Sequence, residues 1–300
     1  MRYLIDAMIG GAEKAGTTSL GHYVTQHPRI LSHFHVGDQR IYHSIEFPAF
    51  VSGSCKDPSQ FERDFLKAFK GPPATDELVM AKSVGVLHRY QAAINLKDHN
   101  PECRLILMLR NPIDRAYSSF WYQLYRGEEI IQDFEKAVEI ECSAKDPLKL
   151  PIDRRYLGKG LYFEQLNRLY TLFDPNQVFV LLLDDLKSKP NKAINEIFRF
   201  LGLEPVPVKT EVVVNRAKRV RSSLVARAIY KESFGKRITR ILVPRVARIR
   251  LLGLMRQLNS VEESPPPMST KMRSFLIDYF RPHNRKLQEL LQRDLSQWNK

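Results

Sequence analysis

The first twenty residues restrict the fold more than any other stretch. Tyr3-Leu-Ile-Asp-Ala-Met-Ile9 reads as a short apolar strand, and it runs directly into Gly10-Gly11-Ala12-Glu13-Lys14-Ala15-Gly16-Thr17-Thr18-Ser19-Leu20, a glycine-rich turn that opens a helix. Glycines let the backbone fold tightly back, so that successive N–H groups line one concavity with the positive end of the next helix behind it. The pattern predicts an anion cradle. Its backbone comes from Ala15 and Gly16, its full charge from Lys14, and its hydroxyls from Thr17, Thr18 and Ser19, which can cap the helix and donate to ligand oxygens. The spacing is not that of a Walker A motif, because the lysine precedes the second glycine instead of following it, and this speaks against ATP hydrolysis. Taken alone, the stretch is also compatible with a turn that binds nothing.

Further along, strand and helix patterns alternate. Helices are expected at 18–26, 58–69, 90–97, from Pro112, at 130–141, 163–173 and 191–201. Strands are expected at Arg29–Leu31, Val79–Ser83, Arg104–Leu109 and Val178–Leu183. This rhythm predicts an α/β fold with a doubly wound, mostly parallel sheet flanked by helices. The whole chain, 1–300, is expected to form one domain, with a basic helical insertion at 216–263 and two closing helices within 264–300.

The formal charge is +14, and the segment 216–256 carries thirteen Lys and Arg against the single acid Glu232. Such a balance calls for an anionic partner. Between Arg227 and Arg256, Ile238, Ile241, Leu242, Val246, Ile249 and Leu252 recur at helical spacing among arginines. A basic amphipathic helix of this kind can lie on an anionic membrane surface or pack on its own domain with a solvated face. The three cysteines, Cys55, Cys103 and Cys142, lack C-x-x-C spacing and are expected as thiols. His33, His35 and His43 lack metal-ligand spacing, so no metal is expected. No run approaches the ~20 apolar residues of a spanning helix. The expected location is the cytoplasm, with peripheral membrane contact; a chain trimmed of an N-terminal anchor would instead point to the Golgi lumen.

A second cationic position follows the strand Arg104–Leu109. Arg110 stands where that strand emerges, Pro112 starts a helix, and Ser118 lies eight residues beyond Arg110 on that helix. Both side chains can serve one anion, although a strand-end arginine can equally cap a helix or pair with a carboxylate.

Together these segments resemble the sulfotransferases that use 3'-phosphoadenosine 5'-phosphosulfate (PAPS), in their bacterial and heparan-sulfate-type branch. Gly11-x-x-Lys14-x-Gly16-Thr17-Thr18-Ser19-Leu20 is similar to the family's 5'-phosphosulfate loop, and Leu109-Arg110-Asn-Pro112-x-x-Arg115-x-x-Ser118 to its 3'-phosphate segment. Gly160-x-Tyr162, Asp184-Asp185-Leu186, Phe200-Leu-Gly202-Leu and the closing Leu276-x-x-Tyr279-Phe-x-Pro-x-Asn284 extend the likeness over essentially the whole chain. The resemblance implies transfer of a sulfuryl group from PAPS to an acceptor hydroxyl or amine. It implies that Lys14 stabilises the leaving nucleotide, that Arg110 and Ser118 hold the 3'-phosphate, and that Tyr162 belongs to the cofactor-binding set. Lys82, in Ala81-Lys82-Ser83, resembles a position facing the acceptor. Relatives carry a glutamate that takes the acceptor's proton. Asp38 aligns with it here, and His35, His43 and Glu46 are further candidates. The acceptor is open among small molecules, glycans and lipids, and nucleic acid is not an expected partner. Two rival functions are a P-loop nucleotide kinase and a non-catalytic polyanion- or membrane-binding module.

Overall fold

The computed structural model describes residues 3–33, 46–210, 219–220, 225, 254–255, 258–261 and 265–300. Two compact units emerge, Met1–Asn111 with Tyr162–Asn215, and Pro112–Leu161 with Arg216–Lys300. The basic stretch expected as an amphipathic helix falls almost wholly outside the described residues.

The first unit is built on a five-stranded sheet of β1 (Ala7–Gly11), β2 (Ile30–Ser32), β3 (Leu78–Lys82), β4 (Arg104–Leu109) and β5 (Val178–Leu182), in the order β2-β3-β1-β4-β5. Every pairing is parallel, as the alternating sequence pattern predicts. Helices α1 (Thr17–Val24), α2 (Ala49–Ser52), α3 (Pro58–Phe69), α4 (Gly85–His88) and α5 (Tyr90–His99) precede α6 (Pro112–Tyr125) and α7 (Phe134–Ser143) of the second unit. The chain then returns to the first unit through α8 (Tyr162–Leu169), α9 (Leu183–Ser188) and α10 (Pro190–Phe200).

β1 is buried along its whole length, and in β4 only Arg104 is partly exposed. Unbroken apolar runs of this kind suit strands covered on both faces. With β1 central, the carboxyl ends of β1, β3, β4 and β5 share one edge, which is where open α/β sheets bind ligands. The first strand starts later than the apolar run suggests and takes in both glycines. The Asp6 carboxylate accepts from Val79 N at 2.8 Å, standing in for a ladder bond, and Tyr3 stacks on Phe65 at 4.7 Å. At Gly11 a Cβ would come within 2.6 Å of the Leu87 Cβ, so only glycine fits beside α4. The register against β4 shifts between Ile9 and Gly11, and this irregularity re-aims the chain as it leaves the sheet.

In the second unit, Phe120 lies against Phe134 and Tyr156 in edge-on contacts at 5.4 and 5.7 Å. Such aromatic pairs contribute about 0.5–1.5 kcal/mol each beyond their buried area. Leu276 and Phe280 complete this core. They belong to α11 (Thr270–Leu291), a single helix where two were expected. Pro282 would end an isolated helix, but the buried face Met272, Leu276, Phe280, Asn284 and Leu287 runs on through it, and that burial outweighs one lost hydrogen bond. α7 also begins later than the pattern over 130–141 suggests. The Glu129 carboxylate accepts from Ile130 N and Ile131 N, and Asp133 then caps the helix by accepting from Glu135 N. A two-residue antiparallel pair, β6 (Arg219–Val220) with β7 (Ser260–Val261), was not foreseen. No helix among the described residues is long and apolar enough to cross a membrane.

Candidate active site

The loop after β1 is fastened to β4. Ala12 N donates to Met108 O at 2.7 Å, Ala15 N closes a turn onto Ala12 O at 3.2 Å, and Arg110 Nη1 donates to Lys14 O at 3.3 Å. Lys14 has φ 64° and Gly16 φ 90°. Two left-handed residues flanking Ala15 curl the backbone, so that its N–H groups and the start of α1 enclose one hollow. A Cβ at Gly16 would lie 2.9 Å from Met108 Cε and 3.0 Å from Leu183 Cδ1. The N-cap of α1 is Gly16, without a side-chain cap, and no acidic residue occupies the first turn. Thr17, Thr18 and Ser19 therefore stand inside the helix and do not cap it, which differs from the sequence expectation. Thr17 is buried, while Thr18 and Ser19 are partly exposed.

Two more cations reach the same edge. Arg110 follows β4, and Lys82 ends β3, where it is 2% exposed. Lys14 records their presence. Burial pushes its ammonium down to about 8, the positive charges of Arg110 and Lys82 act in the same direction, and the Glu13 carboxylate opposes them. Three converging cations at a strand edge suit a ligand of at least two negative charges.

One acid stands among them. Lys82 Nζ forms an ion pair with Glu46 Oε1, and Glu46 Oε2 accepts from Val84 N at 2.8 Å. The next residue anchors this glutamate. Phe47 N donates to Lys82 O at 2.7 Å, and its ring, 2% exposed, packs edge-on against Phe61 and Phe69. His33, at the end of β2, lies against Phe47 and Phe69 with ring centroids 5.6 and 5.5 Å away. His35, Asp38 and His43 lie outside the described residues. Among the described residues no group of three His, Cys, Asp or Glu side chains is gathered as a metal site. The glutamate–lysine pairing is invisible in sequence, although a lysine ending an apolar strand is a signal to look for a carboxylate partner.

Tyr162 opens α8, is 1% exposed, and its hydroxyl donates to Arg110 O at 3.0 Å. It thus steadies the backbone of an anion-binding candidate. Ser118 is partly exposed on α6, in the second unit.

The depressed Lys14 ammonium has a measurable consequence. Only its protonated form attracts an anion, so affinity for 3',5'-adenosine bisphosphate is expected to fall as pH rises through about 8, above the range in which the nucleotide's own phosphates titrate. Near pH 8 binding should take up protons, and calorimetry in buffers of different ionisation enthalpy reads that uptake. Lys14→Arg, which holds its charge at all these pH values, should abolish the dependence.

Comparison with known proteins gives the family. The family model described as "Sulfotransferase domain" matches residues 4–223. The human bifunctional heparan sulfate N-deacetylase/N-sulfotransferase 2 is 26% identical over 296 residues, covering 95% of this chain and 29% of the human protein. The mouse bifunctional heparan sulfate N-deacetylase/N-sulfotransferase 4 is 25% identical, covering 95% of this chain and 30% of its own length. The chain therefore spans about three tenths of the curated relatives it matches. Among solved structures, a sulfotransferase from Alicyclobacillus acidocaldarius superposes with a TM-score of 0.67 at 21% identity, covering 98% of both chains.

Proposed function

Because this chain belongs to the sulfotransferase family and is an enzyme of sulfuryl transfer, we propose that it moves the sulfuryl group of PAPS to a hydroxyl or amine of a glycan by in-line displacement. The loop N–H groups from Ala15 to Ser19 and the Lys14 ammonium hold the 5'-phosphosulfate. Arg110, with Ser118 on the following helix, takes the 3'-phosphate. As the acceptor's oxygen or nitrogen bonds to sulfur, the bond from sulfur to the bridging oxygen breaks, and the electron pair left on the departing nucleotide is stabilised by Lys14. Glu46 receives the acceptor's proton and Lys82 orients that carboxylate. His35, Asp38 and His43 are the alternative bases, and Asp38→Asn is the variant that separates Asp38 from Glu46.

The observation that carries this reading is the convergence of Lys14, Lys82 and Arg110 at one sheet edge with the carboxylate of Glu46 paired to Lys82. A glycan acceptor is favoured by the basic composition of 216–256 and by the heparan sulfate named for the relatives. A peripheral position on an anionic membrane, reached through 227–256, follows from the same composition. The test is incubation with PAPS and a panel of N-deacetylated and desulfated glycans, simple alcohols and amines, with release of 3',5'-adenosine bisphosphate as readout. Binding of that nucleotide without Lys14-dependent transfer to any acceptor would favour a non-catalytic binding module. Arg110→Ala is expected to weaken the nucleotide by about 1.5–3 kcal/mol, the usual worth of a charged hydrogen bond. Unchanged affinity in calorimetry would remove Arg110 from the site.

A further inference from the structure

The motif Leu109-Arg110-Asn-Pro112-Ile-Asp-Arg115 contains two arginines with different fates. Arg110 is proposed to meet the nucleotide, whereas Arg115, on α6, is 0% exposed. A fully buried guanidinium is costly unless its environment uses it. Arg115 Nη2 donates to Tyr156 O, while its Nε and Nη1 have no hydrogen-bond partner among the described residues. The directional bonding of this cation is therefore committed to one backbone carbonyl.

The turn it grips is held by buried acids as well. Glu141, 3% exposed on α7, accepts from Leu157 N at 2.8 Å and Gly158 N at 2.9 Å. Glu129, 1% exposed, accepts from the Tyr156 hydroxyl at 2.8 Å. Three successive residues are thus clamped, Tyr156 by its carbonyl and hydroxyl, Leu157 and Gly158 by their N–H groups. Burial raises the Glu141 carboxyl, and the two N–H bonds and the Arg115 charge pull it back. At Gly160 a Cβ would lie 2.9 Å from the Phe280 ring and 3.1 Å from Pro112 Cβ, which fixes the next step of the chain beside the start of α6. Two residues later comes Tyr162, the donor to Arg110 O.

We propose that Arg115 and Glu141 are positioning residues for recognition of the nucleotide's 3'-phosphate: they set the Tyr156–Gly158 turn and, through the short covalent run to Tyr162, the backbone carbonyl of Arg110. The linkage is covalent on both sides, since Arg110 precedes Arg115 by five residues and Tyr156 precedes Tyr162 by six. The proposal rests on Arg110 being the 3'-phosphate ligand.

The experiment compares two nucleotides by calorimetry, 3',5'-adenosine bisphosphate and adenosine 5'-phosphosulfate, which lacks the 3'-phosphate. Arg115→Met and Glu141→Gln are expected to lower affinity for the first about fivefold to tenfold, the worth of one hydrogen bond, while affinity for the second stays as in the wild type. A purely structural role would weaken both ligands alike or neither, and either result overturns the proposal. Arg115→Lys keeps the charge but loses the planar fork, and should show a smaller loss confined to the bisphosphate. It is the variant to read if methionine at this buried position prevents folding. Arg110→Ala is the control for the premise. If it binds both ligands as the wild type does, the 3'-phosphate assignment itself has failed, whereas selective loss in Arg110→Ala with none in the Arg115 and Glu141 variants rejects the positioning role alone.

Discussion

Lys14→Met is expected to slow sulfuryl transfer by about 10²–10³, the effect of removing one preorganised donor at a developing oxyanion, while making the nucleotide-free protein more stable. The two effects share one cause. The Lys14 ammonium is taken out of water and set beside Arg110 and Lys82, so its folded value lies near 8 against 10.5 in an unfolded chain. A group depressed in the folded state binds fewer protons there than in the unfolded state between these values, so wild-type stability rises with pH across that window. Below pH 8 the ammonium is charged in both states and its cost is constant. Lys14→Met should therefore melt higher than the wild type at pH 7, and its advantage should shrink as pH climbs from 8 towards 10.5. Thermal melts along that series check the stability half, and single-turnover rates with PAPS the catalytic half. A variant that transfers at the wild-type rate would exclude Lys14 from the chemistry.

Glu46→Gln carries the second large effect. If Glu46 is the base, transfer falls by about 10²–10⁴, and Asp38→Asn leaves it near the wild-type rate. The substitution also strands a buried ammonium. Breaking a fully buried pair by removing one partner costs about 3–5 kcal/mol. The Glu46 side chain is 43% exposed against 3% for Lys82, so water screens part of this, and a loss of about 1–3 kcal/mol in urea denaturation is expected. Adding Lys82→Met to Glu46→Gln removes the stranded charge. The double variant should recover stability without recovering transfer, and a double variant as weak as Glu46→Gln would show that the ion pair is not the source of the loss.

Much of this site is legible in the sequence because its parts are local. The glycines, Lys14 and the hydroxyl run follow one another along the chain, and Arg110 follows a strand of unbroken apolar residues, so periodicity alone sets both at strand ends. What escaped depends on contacts distant in sequence. The Tyr3–Ile9 run is apolar but for Asp6, whose carboxylate accepts from Val79 N of the neighbouring strand, and the paired register of the strand begins at Ala7. Pro282 reads as a helix end, and only the core behind α11 carries the helix across it. Helix α7 starts late because a carboxylate four residues before Asp133 competes for the N–H groups of Ile130 and Ile131. Glu46 and Lys82 are separated by thirty-six positions, and no spacing rule brings them together. The alternative bases at 35, 38 and 43 lie outside the described residues.

The fastening of the β1 loop to β4 bears on kinetics. Ala12 N on Met108 O and Arg110 on Lys14 O hold the hollow in shape before any ligand arrives. Association then needs no rearrangement of the loop, so its rate should be governed by diffusion and electrostatic steering and should fall steeply with ionic strength. Discrimination between nucleotides would lie in how long each stays, so that substitutions in the loop wall lengthen or shorten residence time and leave the encounter rate almost untouched.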